Sequence, residues 1–147
     1  MRLVVQRTKC AEVVIGGESY SRTGPGLLIL FGTRQGDIDS SCAWLADKVV
    51  NLRIFEDDDD KMDLSALDVG AELMVVSQFT LYADCRKGRR PSYNQAQEPV
   101  EAEQLYDRFV DLIGQSGLTV RTGQFGARMD VKLTNAGPVT IILEHDA

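Results

Sequence analysis

A single histidine, His145, serves the whole 147-residue chain, and it stands third from the end. A histidine-based triad for ester hydrolysis is therefore not expected, and a side chain so near the terminus is expected to fray. Cysteine is also scarce. Cys10, Cys42 and Cys85 are odd in number and far apart, which suggests neither a disulfide framework nor a zinc site. The expectation is a reduced, cytoplasmic protein with no metal and no cofactor. No apolar run approaches the ~20 residues of a membrane helix. The opening Met1-Arg2-Leu3-Val4-Val5-Gln6-Arg7 lacks the apolar stretch of a signal peptide, so no membrane partner is expected. Positive charge is in deficit, 16 Lys and Arg against 22 Asp and Glu, for a net charge of −6. That excludes tight, general binding along a nucleic acid, because each phosphate contact needs a cation.

What is present suits one α/β domain over residues 1–147, with 44% apolar and 26% charged residues. Residues 2–15 are Val-rich and end at Gly16-Gly17, a hairpin signal, and a second strand runs to about Arg22. Leu27-Leu28-Ile29-Leu30-Phe31 reads as a central strand buried on both faces. Asp37 is placed to cap a helix in which Ile38, Cys42, Leu45, Val49 and Leu52 recur at helical spacing. Arg53-Ile54-Phe55 reads as a short strand, and Leu73 to Ser77 as another buried one. Pro99 suits a helix's first turn, with Ala102, Leu105, Tyr106, Phe109, Leu112 and Ile113 on the apolar face and Gly117 closing it. Leu118 to Arg121, Ala127 to Thr134 and Val139 to Leu143 complete a mixed sheet.

Two segments carry the chemistry. Ser77-Gln78-Phe79-Thr80-Leu81 and Asn135-Ala136-Gly137-Pro138-Val139-Thr140 each put hydroxyl or amide side chains where a strand is expected to meet a turn. Together they resemble the paired Ser-Gln-Phe-Thr-Leu and Asn-x-Gly-Pro-Val-Thr signatures of the D-aminoacyl-tRNA deacylases. The likeness extends from Val4-Val5-Gln6-Arg7 through Gly24-Pro25-Gly26-Leu27-Leu28, Leu45-Ala46-Asp47-Lys48 and Asn51-Leu52-Arg53-Ile54-Phe55-Glu56. It continues through Asp84-Cys85-Arg86-Lys87-Gly88-Arg89-Arg90-Pro91 and Phe125-Gly126-Ala127. The resemblance implies a barrel-like mixed sheet with two main helices, and a homodimer whose active sites lie at the subunit interface. It further implies hydrolysis of D-aminoacyl-tRNA and mischarged glycyl-tRNA, with L-aminoacyl-tRNA rejected. From the residues alone a monomer stays open. So do a tRNA-end binding module without catalysis and a dimeric scaffold whose charged loops meet protein partners.

Within the first signature, Ser77, Gln78, Phe79 and Thr80 are the catalytic candidates. Thr80 has two readings, as a covalent nucleophile or as a hydrogen-bonding strand-end residue. With no histidine, lysine or N-terminal amine assigned beside it, the second is favoured. The N–H groups of Phe79 and Thr80 are oxyanion candidates, since a strand ending in a turn leaves donors unpaired. Ser77 either holds the substrate's ribose or satisfies its own backbone. A Gly-Pro bond is trans by default, and it is the resemblance that implies a cis bond at Gly137-Pro138, inserted into a partner's pocket. Asn135 and Thr140 are expected to brace that bend, with Val139 beside it in the substrate-binding set. Phe125, Gly126, Ala127 and Met129 are candidates for a terminal-adenine pocket, against a plain core role for Phe125 and Met129. Arg86, Lys87, Arg89 and Arg90 are either contacts to RNA phosphates at the acceptor end or a solvated loop. Asp57-Asp58-Asp59-Asp60-Lys61 lacks the spacing and glycine of an EF-hand and is expected to be a solvated turn.

Overall fold

Residue by residue, the apolar run of the third strand alternates between two interiors. The computed structural model describes residues 1–146, in the order β1 (Arg2–Ile15), β2 (Glu18–Thr23), β3 (Gly26–Gly32), α1 (Asp39–Asn51), β4 (Phe55–Glu56), β5 (Met62–Leu64), α2 (Ala66–Val69), β6 (Glu72–Ser77), α3 (Pro99–Gly114), β7 (Val120–Thr122) and β8 (Asp130–Glu144). Leu27, Ile29 and Phe31 of β3 face α1 and α3, joining Leu3, Val5, Leu73, Val75, Cys42, Leu45, Phe109 and Ile113 in one core. Leu28 faces the other way, into a smaller core with Ala11, Val13, Met74 and Val76. A strand buried on both faces needs apolar residues at every position, and each such side chain contributes about 1.5–3 kcal/mol on burial. Phe31 packs on Phe109 with ring centroids 4.9 Å apart, and the buried Tyr106 hydroxyl donates to Val75 O at 2.9 Å.

Long β1 organises the sheet. Its first half pairs with β3 and its second half with β2, while β8 runs antiparallel along its other side. β6 joins β3 and β7 in parallel. The Ser21 hydroxyl donates to Thr122 O at 2.7 Å, drawing β2 toward β7 and curling the sheet nearly into a barrel. β3 and β6 approach so closely that a Cβ at Gly26 would sit 1.8 Å from Glu72 O.

Several local expectations change. β8 is one continuous strand where two were expected, and the second signature lies inside it rather than at a turn. The strand survives because β1 tolerates a wide bulge. Pairing passes from Thr8↔Asn135 to Gln6↔Thr140, so Ala136, Gly137, Pro138 and Val139 stand opposite Arg7 alone. Asp37 does not cap α1, whose N-cap is Ile38. Its carboxylate instead receives the buried Met1 ammonium at 2.7 Å and the Arg34 N–H at 2.8 Å. His145 is not frayed. Its N–H donates to Met1 O, its ring lies 3.1 Å from the Ser41 hydroxyl, and it packs on Trp44. Helix α3 ends at Gly114, with Gln115 as its C-cap, three residues before Gly117. The four aspartates form the turn between β4 and β5, where Asp57 Oδ1 accepts from the N–H groups of Asp59 and Lys61. Among the described residues, no group of three or more His, Cys, Asp or Glu is arranged to hold a metal.

Candidate active site

β6 delivers the first signature to a surface cleft. Pairing with β3 runs to Phe31↔Ser77, and the next residue donates its N–H to Phe31 O at 2.7 Å. The chain then tightens into a single 3-10 turn over Phe79–Tyr82, closed by Leu81 N–H to Gln78 O at 3.2 Å. As the first two residues of that turn, Phe79 and Thr80 have N–H groups without an intrahelical acceptor, and no other hydrogen bond takes them up among the described residues. The Thr80 hydroxyl is engaged by the Gln78 side-chain amide. That bond orders the loop and leaves the hydroxyl with no base to activate it.

The cleft holds about 490 Å³, a size suited to a small molecule or a nucleoside. Ser77, Gln78 and Phe79 line it together with Phe125, Gly126, Ala127 and Met129. These two groups are 45 or more residues apart in sequence, and the parallel pairing of β6 with β7 brings them together. Phe125 is half-buried. One side of its ring leans on Tyr106, centroids 5.9 Å apart, while the side chain also lines the cleft. Met129 is a wall, its sulfur 2.7 Å from where a Cβ at Gly123 would stand. Thr33, Gln97, Pro99 and Ala102 also line the cleft, and Gln97 N–H donates to Thr33 O at 3.1 Å.

The second signature lies elsewhere on the same chain. Val131 lines the cleft, and Gly137 is six residues further along β8, roughly 20 Å away at strand rise. Gly137 and Pro138 are exposed, and the bond between them is cis. The bend is clamped from inside by Arg7, only 7% exposed. Its guanidinium donates to Ala136 O at 3.0 Å and Ile54 O at 2.8 Å, and pairs with Glu56 at 3.2 Å. Asn135 Oδ1 accepts from Val139 N–H at 3.0 Å, while Asn135 Nδ2 and Gln6 Nε2 both donate to the Thr140 hydroxyl. Gly137 has φ +120°, and a Cβ there would stand 2.6 Å from Arg7 Nη2. Only glycine fits this position.

Residues 4–144 match the family model described as D-Tyr-tRNA(Tyr) deacylase. The chain belongs to that family. Among curated D-aminoacyl-tRNA deacylases, that of Bacillus licheniformis is 52% identical over 147 residues, covering all of both chains. That of Thermotoga petrophila is 51% identical over 144 residues, covering 98% of this chain and 97% of its own. A solved structure of a c-Myc DNA unwinding element binding protein matches with TM-score 0.94 and 38% identity over all of both chains. A probable eukaryotic D-amino acid tRNA deacylase shares the fold, with TM-score 0.83 at 18% identity over 97% of each chain.

The basic loop of this deacylase-family chain is exposed throughout. Arg86 is held by Asp84 through bonds of 2.8 and 2.6 Å, which depress the Asp84 carboxyl to about 2. Among the described residues no carboxylate pairs with Lys87, Arg89 or Arg90. A second, open cleft of about 540 Å³ lies beside this loop, but its arginines are each matched by a carboxylate, Arg2 by Glu144, Arg34 by Asp146 and Arg86 by Asp84. Arg7, Thr33 and Gln97 were not singled out from the sequence. Arg7 carried a usable signal, since it follows Leu3 and Val5 at the two-residue alternation of a strand and so shares the face they bury in the core.

Proposed function

We propose that the protein hydrolyses the ester bond of D-aminoacyl-tRNA, and of mischarged glycyl-tRNA, releasing the free amino acid and tRNA. The reading rests on one observation: two unpaired N–H groups, of Phe79 and Thr80, open beside a nucleoside-sized cleft in a chain of the deacylase family. The terminal adenosine stacks on Phe125 between Gly126, Ala127 and Met129, which places the ester carbonyl at the 3-10 turn. Water adds to the carbonyl carbon, and the oxyanion that forms accepts from Phe79 and Thr80. The ribose oxygen then leaves with a proton. The vicinal ribose hydroxyl positions the water, a task that needs no protein histidine and suits an already activated ester. Each donor is worth about 3 kcal/mol, or roughly 100-fold in rate.

Chirality is sorted by main chain. Two copies associate through the β8 side, whose outer residues are nowhere fully buried in one chain, and each presents Gly137-Pro138 to the other's cleft. The carbonyl oxygens of this segment accept from the substrate's α-ammonium and fill the space an L side chain needs, so rejection of L esters gives the selectivity. Glycine has nothing to exclude and is admitted. Lys87, Arg89 and Arg90 contact phosphates of the acceptor end.

The test is hydrolysis of D-Tyr-tRNA, L-Tyr-tRNA and Gly-tRNA by purified protein. Rapid loss of the D-Tyr and Gly esters with survival of L-Tyr is the expected result. Binding of all three without turnover would show a tRNA-end binding module instead.

A further inference from the structure

Two exposed aromatic rings meet at the mouth of the cleft. Phe79 is 55% exposed and Tyr93 is 42% exposed, and their centroids lie 5.1 Å apart with planes at 68°. An edge-to-face pair of this kind holds itself in place, yet leaves apolar ring surface in water that neither partner covers. Phe79 lines the cleft, whereas Tyr93 stands just beyond it. Tyr93 also follows directly on the root of the basic loop, where Asp84 and Ser92 exchange backbone hydrogen bonds of 2.7 and 2.9 Å. The aromatic pair therefore stands between the cleft, which Phe79 lines, and the root of the loop that carries the unpaired cations.

That order matches the chemistry of a single-stranded nucleotide chain leaving the cleft. Bases stack on aromatic faces while the flanking phosphates meet lysine and arginine. With the terminal adenosine in the cleft, the base that reaches the Phe79–Tyr93 pair is its immediate 5′ neighbour. We infer that Phe79 and Tyr93 form a stacking platform for the penultimate base of the RNA 3′ end, with Lys87, Arg89 and Arg90 neutralising the phosphates that follow. This inference rests on the proposed deacylase reading and adds a second base-binding subsite to it. Stacking has no hydrogen-bond code, so the platform confers affinity without selecting among bases.

The experiment compares Tyr93→Ala and Tyr93→Trp with the parent on three D-tyrosyl esters: full-length tRNA, the dinucleotide CpA, and adenosine alone. Tyr93→Ala should raise KM for the tRNA and CpA esters roughly 10-fold, within the ~1–3 kcal/mol of one base–aromatic stack. The adenosine ester should be cleaved as by the parent, and Tyr93→Trp should behave as parent on all three. Replacing the penultimate base of the tRNA by an abasic site should erase the difference between Tyr93→Ala and parent. An equal loss on the adenosine ester, or no loss on any, overturns the platform. So does a change in sedimentation of Tyr93→Ala, which would assign the ring to a contact between copies. A parent protein inert on all three esters would instead refute the deacylase reading itself.

Discussion

Replacing Arg7 by methionine keeps most of the aliphatic volume and removes three polar contacts at once. Two of them reach backbone carbonyls, Ala136 O at the bend and the buried Ile54 O. A buried acceptor left unpaired costs ~1–3 kcal/mol, and the bond to Ile54 O is buried. The third contact, to Glu56, contributes less because that carboxylate is half in solvent. The expected loss is about 3 kcal/mol, or roughly 10 °C in Tm for a chain of this size. Arg7→Lys keeps the charge but offers a point donor in place of a planar fork, so it should recover only about half. Glu56→Gln should cost under ~1 kcal/mol. Urea unfolding gives these differences, and parallel assays of D- and L-Tyr-tRNA hydrolysis report on the bend. Arg7→Met should lower discrimination between the two esters even where the protein remains folded. A variant that unfolds within ~0.5 kcal/mol of the parent, with discrimination intact, would falsify the clamp.

Three further outcomes follow from geometry already described. Thr80→Val removes the partner of the Gln78 amide and should lower kcat about 10-fold while Thr80→Ser stays near parent; a trapped acyl-threonine in mass spectra would contradict the assignment of catalysis to the backbone. Gly26→Ala drives a methyl into Glu72 O, so it should destabilise by about 3 kcal/mol or more in denaturant titrations, and a neutral effect would show that β3 and β6 can slide apart. Burial pushes the Cys42 thiol and the Tyr82 phenol up to about 12, from 9.0 and 10.0 respectively. Stability should therefore be fully present below pH 9 and fall as pH rises toward 12, where the unfolded chain has released protons that the folded one keeps. Cys42→Ala should remove the part of that slope beginning near pH 9 in unfolding curves recorded from pH 8 to about 11.5.

The elements read most clearly from sequence are those set by local pattern. The run Leu27–Phe31 reads as a doubly buried strand and is one, and Pro99 opens α3 at its first turn. What escaped reading depends on distant partners. Gly137-Pro138 looks like a turn because its neighbours in sequence say nothing of β1, and β1's single residue opposite the bulge keeps the strand whole. Asp37 resembles a cap until Met1 arrives from 36 residues away. His145 resembles a loose end until Ser41 and Trp44 receive it. In the cleft, the residues of the first signature and Phe125-Gly126-Ala127 were legible as motifs. Their shared cavity was not, because it is made by β6 and β7 lying side by side. Tyr93 had no motif at all.

Arg7 grips position 136 by its main-chain oxygen and leaves the alanine methyl uncommitted. Sequence drift at that site can proceed through acids, amides or small residues while the clamp beneath stays as it is. A change of side chain at 136 should therefore leave the arginine's hold intact and act only on what the bend docks against.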